Sequence, residues 1–373
     1  MRIAVNTRFL LKDKLEGIGW VTYELLKRMV EQHPEDDFIF FFDRKYDESF
    51  VFGKNVKPVI LYPSARHPFL WLSWFETAIP LALKKYKADV FFSPDGYCSL
   101  LTKTKTVMIT HDIAHVHFPE HIPFLVKKYY NTFVPKFLKR ADRIISVSHF
   151  TKKDIIKQYG IAANKISVIE NGCRIGFHPL SKEEQPSVRE KYAGGNHYFF
   201  YIGAVHPRKN LHRLILAFDQ FKKKNKSSIQ LLLGGRFAWQ TASVKDAYEM
   251  AEHQNDIQFL GYIPEEDLPK IMASADAFVY PSLFEGFGLS LLEAMHCDVP
   301  VITSNASSLT EVAGKAGLLV DPTSVDEIAL ALEKLYKDVS LREKLIANGK
   351  EQRAKFNWNH SAEKTYQVLK SVT

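Results

Sequence analysis

Apolar positions in this chain gather into short runs that end on polar turns. "RIAVN" (2–6) opens it, and "DFIFFFD" (37–43) is a continuous apolar run, as expected of a strand covered on both faces. "ADVFFSPDG" (88–96), "KTVMITHDIA" (105–114), "ADRIISVSHFT" (141–151) and "KISVIENG" (165–172) repeat the pattern. Segments with helical spacing lie between several of them. "GIGWVTYELLKRMVEQHP" (17–34), for example, reads as a loop followed by an amphipathic helix ended by Pro34. Alternating β and α of this kind predicts a doubly wound parallel sheet.

Residues 177–196 break the pattern. They are polar, hold two prolines and a Gly-Gly pair, and read as a linker with one short helix. The alternation then restarts. Strands are expected at "HYFFYIGAV" (197–205), "IQLLLGG" (229–235), "IQFLGYI" (257–263), "AFVYPS" (277–282), "PVITSN" (300–305) and "GLLVD" (317–321). Helices are expected at 210–224, 265–275, 289–296 and 324–338, and the tail "NWNHSAEKTYQVLKSV" (357–372) is a final amphipathic helix. The chain therefore divides into an α/β domain at 1–178, with the helix at 357–373 packing back onto it, and a second α/β domain at 179–356. Two such domains would face a cleft into which the carboxyl ends of both sheets open.

The chain has 373 residues, enough for two domains, and its hydrophobic share of 46% is that of a globular protein. Cys98, Cys173 and Cys297 are widely separated and form no CxxC, which fits a reducing compartment. The N-terminus is too short and polar for a signal peptide, and no apolar run reaches the ~18 residues a membrane span needs. A cytoplasmic protein is expected. The net charge of +8 would suit nucleic acid, anionic lipid or a phosphorylated substrate. Residues 127–140 place Tyr129, Phe133, Phe137 and Leu138 at helical spacing among five basic residues. Such a helix could lie on a membrane surface, or simply be solvated with one face in the core.

Ligands of open α/β sheets bind beyond the carboxyl ends of strands, so the polar residues there are the candidates. In the second domain they fall in "AVHPRKN" (204–210), "GGRFAW" (234–239), "GYIPEED" (261–267), "TSNASSLTE" (303–311) and "FVYPSLFEGFGLSLLEAM" (278–295). Arg208 and Lys209 directly precede a helix, with Asn210 as the expected N-cap, an arrangement suited to a diphosphate. Glu285-Gly-Phe-Gly288 permits close backbone approach, and the next helix turns its free N–H groups toward that turn. Glu285 and Glu293 are carboxylates of the type that accepts hydrogen bonds from vicinal hydroxyls. Taken singly, each has a plainer reading as a helix-start charge, a dipole-favoured acid or an exposed helix residue.

Together, "YIGAVHPRKNL", "LGYIPEEDL" and "SADAFVYPSLFEGFGLSLLEAM" resemble the retaining, nucleotide-sugar-dependent glycosyltransferases of group 1, or family 4, which have the GT-B fold. Seven residues separate Glu285 from Glu293, and that spacing is the family's signature. "GIGWVTYELL", "THDI" and "SVSHFTKKDIIKQYGIAANKISVIENGC" resemble first-domain segments of the same family, and "SNASSLTEV" resembles bacterial mannosyl- and rhamnosyl-type enzymes.

The resemblance implies roles. Glu293 would hold the nucleotide's ribose hydroxyls, and Glu285 would face the donor sugar. Gly286, Phe287, Gly288 and Leu289 would line sugar and phosphate, and Arg208 and Lys209 would bind the diphosphate. Gly17 and Gly19 would bring a first-domain loop to the phosphates, His111 would sit beside the reacting carbon, and the base would rest near Gly261, Tyr262 and Ile263. No metal and no other cofactor would be needed, because Arg208 and Lys209 neutralise the leaving group, with attack from the front side.

The implied reaction moves a hexose, from GDP-mannose as first choice or from a UDP-sugar, to a glycan or lipid-linked acceptor in cell-surface polysaccharide synthesis. The implied partners are the donor, that acceptor and a peripheral contact with the inner membrane, without nucleic acid. Two departures from the family stand out: Ala204 where relatives carry arginine, which leaves Arg236 as a further cation, and His206 where glutamate is common. His115, His117 and His121 could gather a metal or touch the acceptor. The rivals are a phosphorylase of the same fold, which would need a lysine placed for a pyridoxal cofactor and is usually far longer, and a non-catalytic basic protein binding membrane or nucleic acid, which gives no reason for the paired glutamates.

Overall fold

The computed structural model describes residues 1–12, 15–236 and 241–373. They form two compact units: Met1–Gly172 with Asn357–Thr373, and Cys173–Phe356.

Unit 1 is built on β1 (Arg2–Asn6), β2 (Asp37–Phe42), β3 (Val56–Ile60), β4 (Val90–Ser93), β5 (Lys105–Thr110), β6 (Arg143–Ser146) and β7 (Ile166–Val168). Among the described residues these strands pair in parallel in the order β3-β2-β1-β4-β5-β6-β7. The run Phe38–Phe42 is buried throughout, as a strand with helices on both faces must be. The apolar pattern did not announce β3. It carries Pro58, which has no N–H to donate, and it lies at the sheet edge, where one missing donor is tolerated.

Unit 2 holds β8 (Tyr198–Ile202), β9 (Gln230–Gly234), β10 (Ile257–Gly261), β11 (Ala277–Tyr280), β12 (Val301–Ser304) and β13 (Gly317–Val320). They are again all parallel, in the order β10-β9-β8-β11-β12-β13. All six fall where the sequence pattern puts them. In each sheet the order reverses once, beside β1 and β4 in unit 1 and beside β8 and β11 in unit 2. Open α/β sheets bind ligands beyond the carboxyl ends of such strands.

Three expectations are corrected. The chain leaves unit 1 at Gly172, not near 178, and residues 177–196 are no linker. Helix Gln185–Ala193 packs in unit 2, where Tyr192 donates to Asp267 (2.6 Å) and Arg189 to the Ser274 carbonyl (3.3 Å). Its polar residues are partners of unit 2 rather than a solvated tether. The "GIG" segment is not a loop either, because helix Gly17–Gln32 begins at Gly17 itself.

The tail helix Trp358–Lys370 belongs to unit 1. Tyr366 donates to Asp36 (2.7 Å) and stacks on His33, and Ser361 bonds the Glu170 carbonyl. Gly172 is glycine for a steric reason: a Cβ there would lie 2.7 Å from Trp358. Among the described residues no helix is long and apolar enough to cross a membrane.

Candidate active site

The strand-end residues of unit 2 converge on one ion cluster. After β8 the chain makes a 3₁₀ turn, Pro207–Lys209, capped by His206, whose Nδ1 accepts the Arg208 N–H at 3.2 Å. That gives His206 a structural role the sequence left open. Arg208 and Lys209 are thereby set directly before helix Leu211–Asn225, at its positive end.

Asn210 occupies the N-cap position, as expected, but its side chain makes no cap hydrogen bond. It adopts a left-handed conformation (φ 64°) and is fully buried. Its amide donates to the carbonyls of Pro281 (2.9 Å) and Pro322 (2.6 Å), which lie beyond β11 and β13. One side chain thus ties three loops together. Val205 donates to the Arg236 carbonyl at 2.9 Å, joining the loop after β8 to the loop after β9. The rest of the "GGRFAW" candidate, Phe237 to Trp239, lies outside the described residues.

Glu285 follows β11 and is the anion of the cluster. Its Oε1 accepts from Lys209 Nζ (2.6 Å) and from the Tyr280 hydroxyl (3.2 Å), and its Oε2 lies 3.4 Å from Arg208. Lys209 also donates to the Tyr280 hydroxyl at 2.6 Å, and Arg208 to the Phe284 carbonyl. Burial alone would raise the Glu285 pKa, but the Lys209 and Arg208 charges and the hydrogen bonds lower it to about 2. Tyr280 stacks on Tyr201, whose hydroxyl is buried and has no hydrogen-bond partner among the described residues. Burial raises the pKa of both phenols well above the ordinary value, so both stay protonated.

The loop beyond β12 latches the Glu285 turn. Ser307 Oγ accepts the Glu285 N–H, while Ser308 donates to the carbonyls of Glu285 and Phe287. Gly288, at φ 107°, turns the chain into helix Leu289–His296, and a Cβ on it would meet Leu309 at 2.9 Å. Leu289 opens that helix, and Phe287 is buried against Phe356. Gly286 is buried as well.

Glu293, about one turn into the same helix, is only 2% exposed, which removes its reading as an ordinary surface residue. Its Oε1 accepts from Arg174 Nε at 2.6 Å. Sequence reasoning missed Arg174, since 119 residues separate the two partners. At the end of β10, Gly261 (φ 65°) turns the chain, Tyr262 is exposed, and Ile263 is buried against Gly234.

In unit 1, His111 follows β5 and is half-buried. Its Nε2 lies 2.7 Å from the Pro94 carbonyl, and burial lowers its pKa. A carbonyl can only accept, so Nε2 carries the proton and Nδ1 is left as an acceptor. Asp112 caps the turn at Ala114 (2.9 Å). Gly19 is buried, and a Cβ there would lie 2.8 Å from the Phe9 carbonyl. Gly17 has open space at its Cβ position.

His115 bonds the Tyr159 hydroxyl, His117 bonds Asp154 and His121 pairs with Glu120, each with a partner of its own. Among the described residues no three His, Cys, Asp or Glu side chains group as metal ligands would. Beside β1 and β4 the sequence also missed a buried pair, Arg8 with Asp95 at 2.5 Å. The guanidinium lies 4.2–6.0 Å from the rings of Phe9, Trp71, Phe75 and Tyr97.

Comparison with known proteins decides the family. "Glycosyl transferases group 1" matches residues 182–352, and "Glycosyltransferase Family 4" matches 15–176. O-antigen chain mannosyltransferase B of Escherichia coli is 32% identical over 372 residues, covering 96% of this chain and 97% of that protein. The chain belongs to the group 1 glycosyltransferases. Within the family, it is also 30% identical over 254 residues to O-antigen chain mannosyltransferase RfbU of Salmonella typhimurium, covering 67% of each. The glycosyltransferase shares its fold with Anabaena HepE, solved in complex with UDP and glucose: TM-score 0.76, 20% identity, 100% of each chain. Both Rossmann-like sheets are therefore those of the GT-B fold. Family membership replaces the non-catalytic alternative with an enzyme.

Proposed function

We propose that this glycosyltransferase moves a mannosyl group from a nucleoside-diphosphate donor, GDP-mannose first, to a growing polysaccharide or lipid-linked glycan, with retention and without a metal. The observation that carries this reading is the Arg208–Lys209–Glu285 cluster at the reversal of the unit 2 sheet. Two cations at a helix start can take up the negative charge that grows on the departing diphosphate, held in place before the reaction begins. Glu285 then faces the sugar hydroxyls, Glu293 the ribose, and the turn from Gly286 to Leu289 the sugar and phosphate. Gly261, Tyr262 and Ile263 mark the base position, where exposed Tyr262 offers a stacking face. The His111 Nδ1 offers an acceptor for a sugar hydroxyl. With no enzymatic nucleophile assigned, the departing phosphate takes the acceptor's proton in a front-side attack.

The mannosyl choice rests on the two O-antigen mannosyltransferases. The UDP-glucose type of donor is the second reading, favoured by the UDP complex of HepE. Calorimetric titration with GDP-, UDP- and dTDP-sugars tests the donor. Binding of GDP-mannose above the rest is expected, and no binding to any would sink the assignment. NMR of the product's anomeric centre tests retention.

We also place the enzyme in the cytoplasm, at the membrane face, through helix Phe124–Arg140. Phe124, Leu125, Lys128, Lys136 and Lys139 are exposed on it, and it carries no acidic residue. Co-sedimentation with anionic but not neutral vesicles is expected; equal recovery with both would reject the contact.

A further inference from the structure

Arg174 stands one residue past the point where the chain enters unit 2, in a segment with no helix or strand. Its side chain is nonetheless fixed. Nε donates to Glu293 Oε1 at 2.6 Å, and the guanidinium lies 5.0 Å from the Phe177 ring, a residue itself buried. Gly176, at φ 98°, makes the bend between Arg174 and Phe177.

The two side chains of the ion pair are 15% and 3% exposed, so removing either partner would leave the other polar group buried and uncompensated. Burial acts to lower the Arg174 pKa, yet the Glu293 charge raises it above the ordinary value, and the guanidinium stays charged. Only Oε1 is used, and Oε2 takes no hydrogen bond among the described residues. With Oε1 tethered by the Arg174 Nε–H, Oε2 keeps its acceptor capacity.

We infer that Arg174 is a positioning residue for nucleotide recognition: by holding Glu293 through Oε1, it presents Oε2 to the ribose hydroxyls. This rests on the reading of Glu293 as the ribose-binding residue. Nothing in the group 1 pattern of paired glutamates calls for it, and it makes the residues just past the unit boundary part of the donor site.

The test compares ligands with and without the diol. GDP and 2′,3′-dideoxy-GDP are titrated into the full-length wild type, Glu293→Gln and Arg174→Met, with UDP and 2′,3′-dideoxy-UDP in parallel. Hydrogen bonds to a charged carboxylate should give the wild type a preference for the diol of roughly tenfold to hundredfold. Collapse of that preference in both variants, with the dideoxy affinity unchanged, supports the inference. A wild-type preference in Arg174→Met, with collapse in Glu293→Gln, overturns the role of Arg174 and leaves the Glu293 reading standing. A full preference in Glu293→Gln, or no binding of either nucleotide to the wild type, overturns both. Equal weakening of both ligands by Arg174→Met means a merely structural role and also overturns it. If the methionine variant does not fold, Arg174→Gln, which keeps an N–H donor without the charge, is read by the same criteria.

Discussion

Replacing Glu285 by glutamine should strengthen product binding and weaken catalysis at once. The carboxylate lies 2.6 Å from Lys209 and 3.4 Å from Arg208, so it occupies the cations assigned to the diphosphate. A phosphate arriving at those cations meets the Glu285 charge at a distance on the order of 5 Å, a repulsion of about 3 kcal/mol at an effective dielectric of about 20. The three side chains are 10–20% exposed. Halving the figure for solvent and salt leaves about 1.5 kcal/mol, or roughly tenfold in affinity.

Glu285→Gln is therefore expected to bind GDP, or UDP if that is the donor nucleotide, about tenfold more tightly. Turnover should fall by about a hundredfold or more, since the sugar loses a charged acceptor and Lys209 loses its anchor. Calorimetry on the nucleoside diphosphate and steady-state rates on the full donor separate the two effects. Affinity equal to the wild type, or weaker, would refute the placement of the diphosphate on Arg208 and Lys209.

Further expectations follow from the same geometry. Glu293→Ala should weaken nucleotide binding, whereas Lys209→Ala should mainly lower turnover; wild-type values for both in steady-state kinetics would contradict the site assignments. Asp95→Ala leaves the Arg8 guanidinium buried without its anion, and should cost about 3–5 kcal/mol in a urea melt. Gly288→Ala forces an alanine to φ 107° against Leu309, and should cost about 1–3 kcal/mol together with activity. On the pH axis, burial lowers the pKa of His111, and that of His115 to about 4; the ion pairs lower that of Glu285 to about 2. A depressed pKa means the unfolded chain binds the proton more readily. The histidine contribution should be complete above about pH 6.5 and fade toward about pH 4, with the Glu285 contribution lost from about pH 4.5 downward. Thermal melts that improve on acidification would oppose this.

The sequence made the architecture of unit 2 readable because its strands are apolar runs that end on glycine, proline or a short polar turn residue. The turn from Glu285 to the helix start at Leu289 was readable for the same reason. The edge strand β3 was hidden by Pro58, and helix Val339–Arg353 by weak contrast between its faces. Residues 177–196 looked like a tether because the partners of their polar side chains, Asp267 and Ser274, lie far along the chain. The same distance concealed Arg174 behind Glu293, and Asp95 behind Arg8. What spacing along a chain reveals is which residues share an element. Which charges meet across elements depends on strand order, and that emerged only with the fold.

The buried amide of Asn210 has a practical consequence for redesign. It clasps loops that follow three different strands, while Ser307 and Ser308 bind the Glu285 turn to a fourth. These loops cannot be exchanged one at a time with those of a relative to alter donor choice, because any single graft leaves buried polar groups unpaired. A chimaera that transplants them as a set, with Asn210 and both prolines retained, respects the unit in which this region is built.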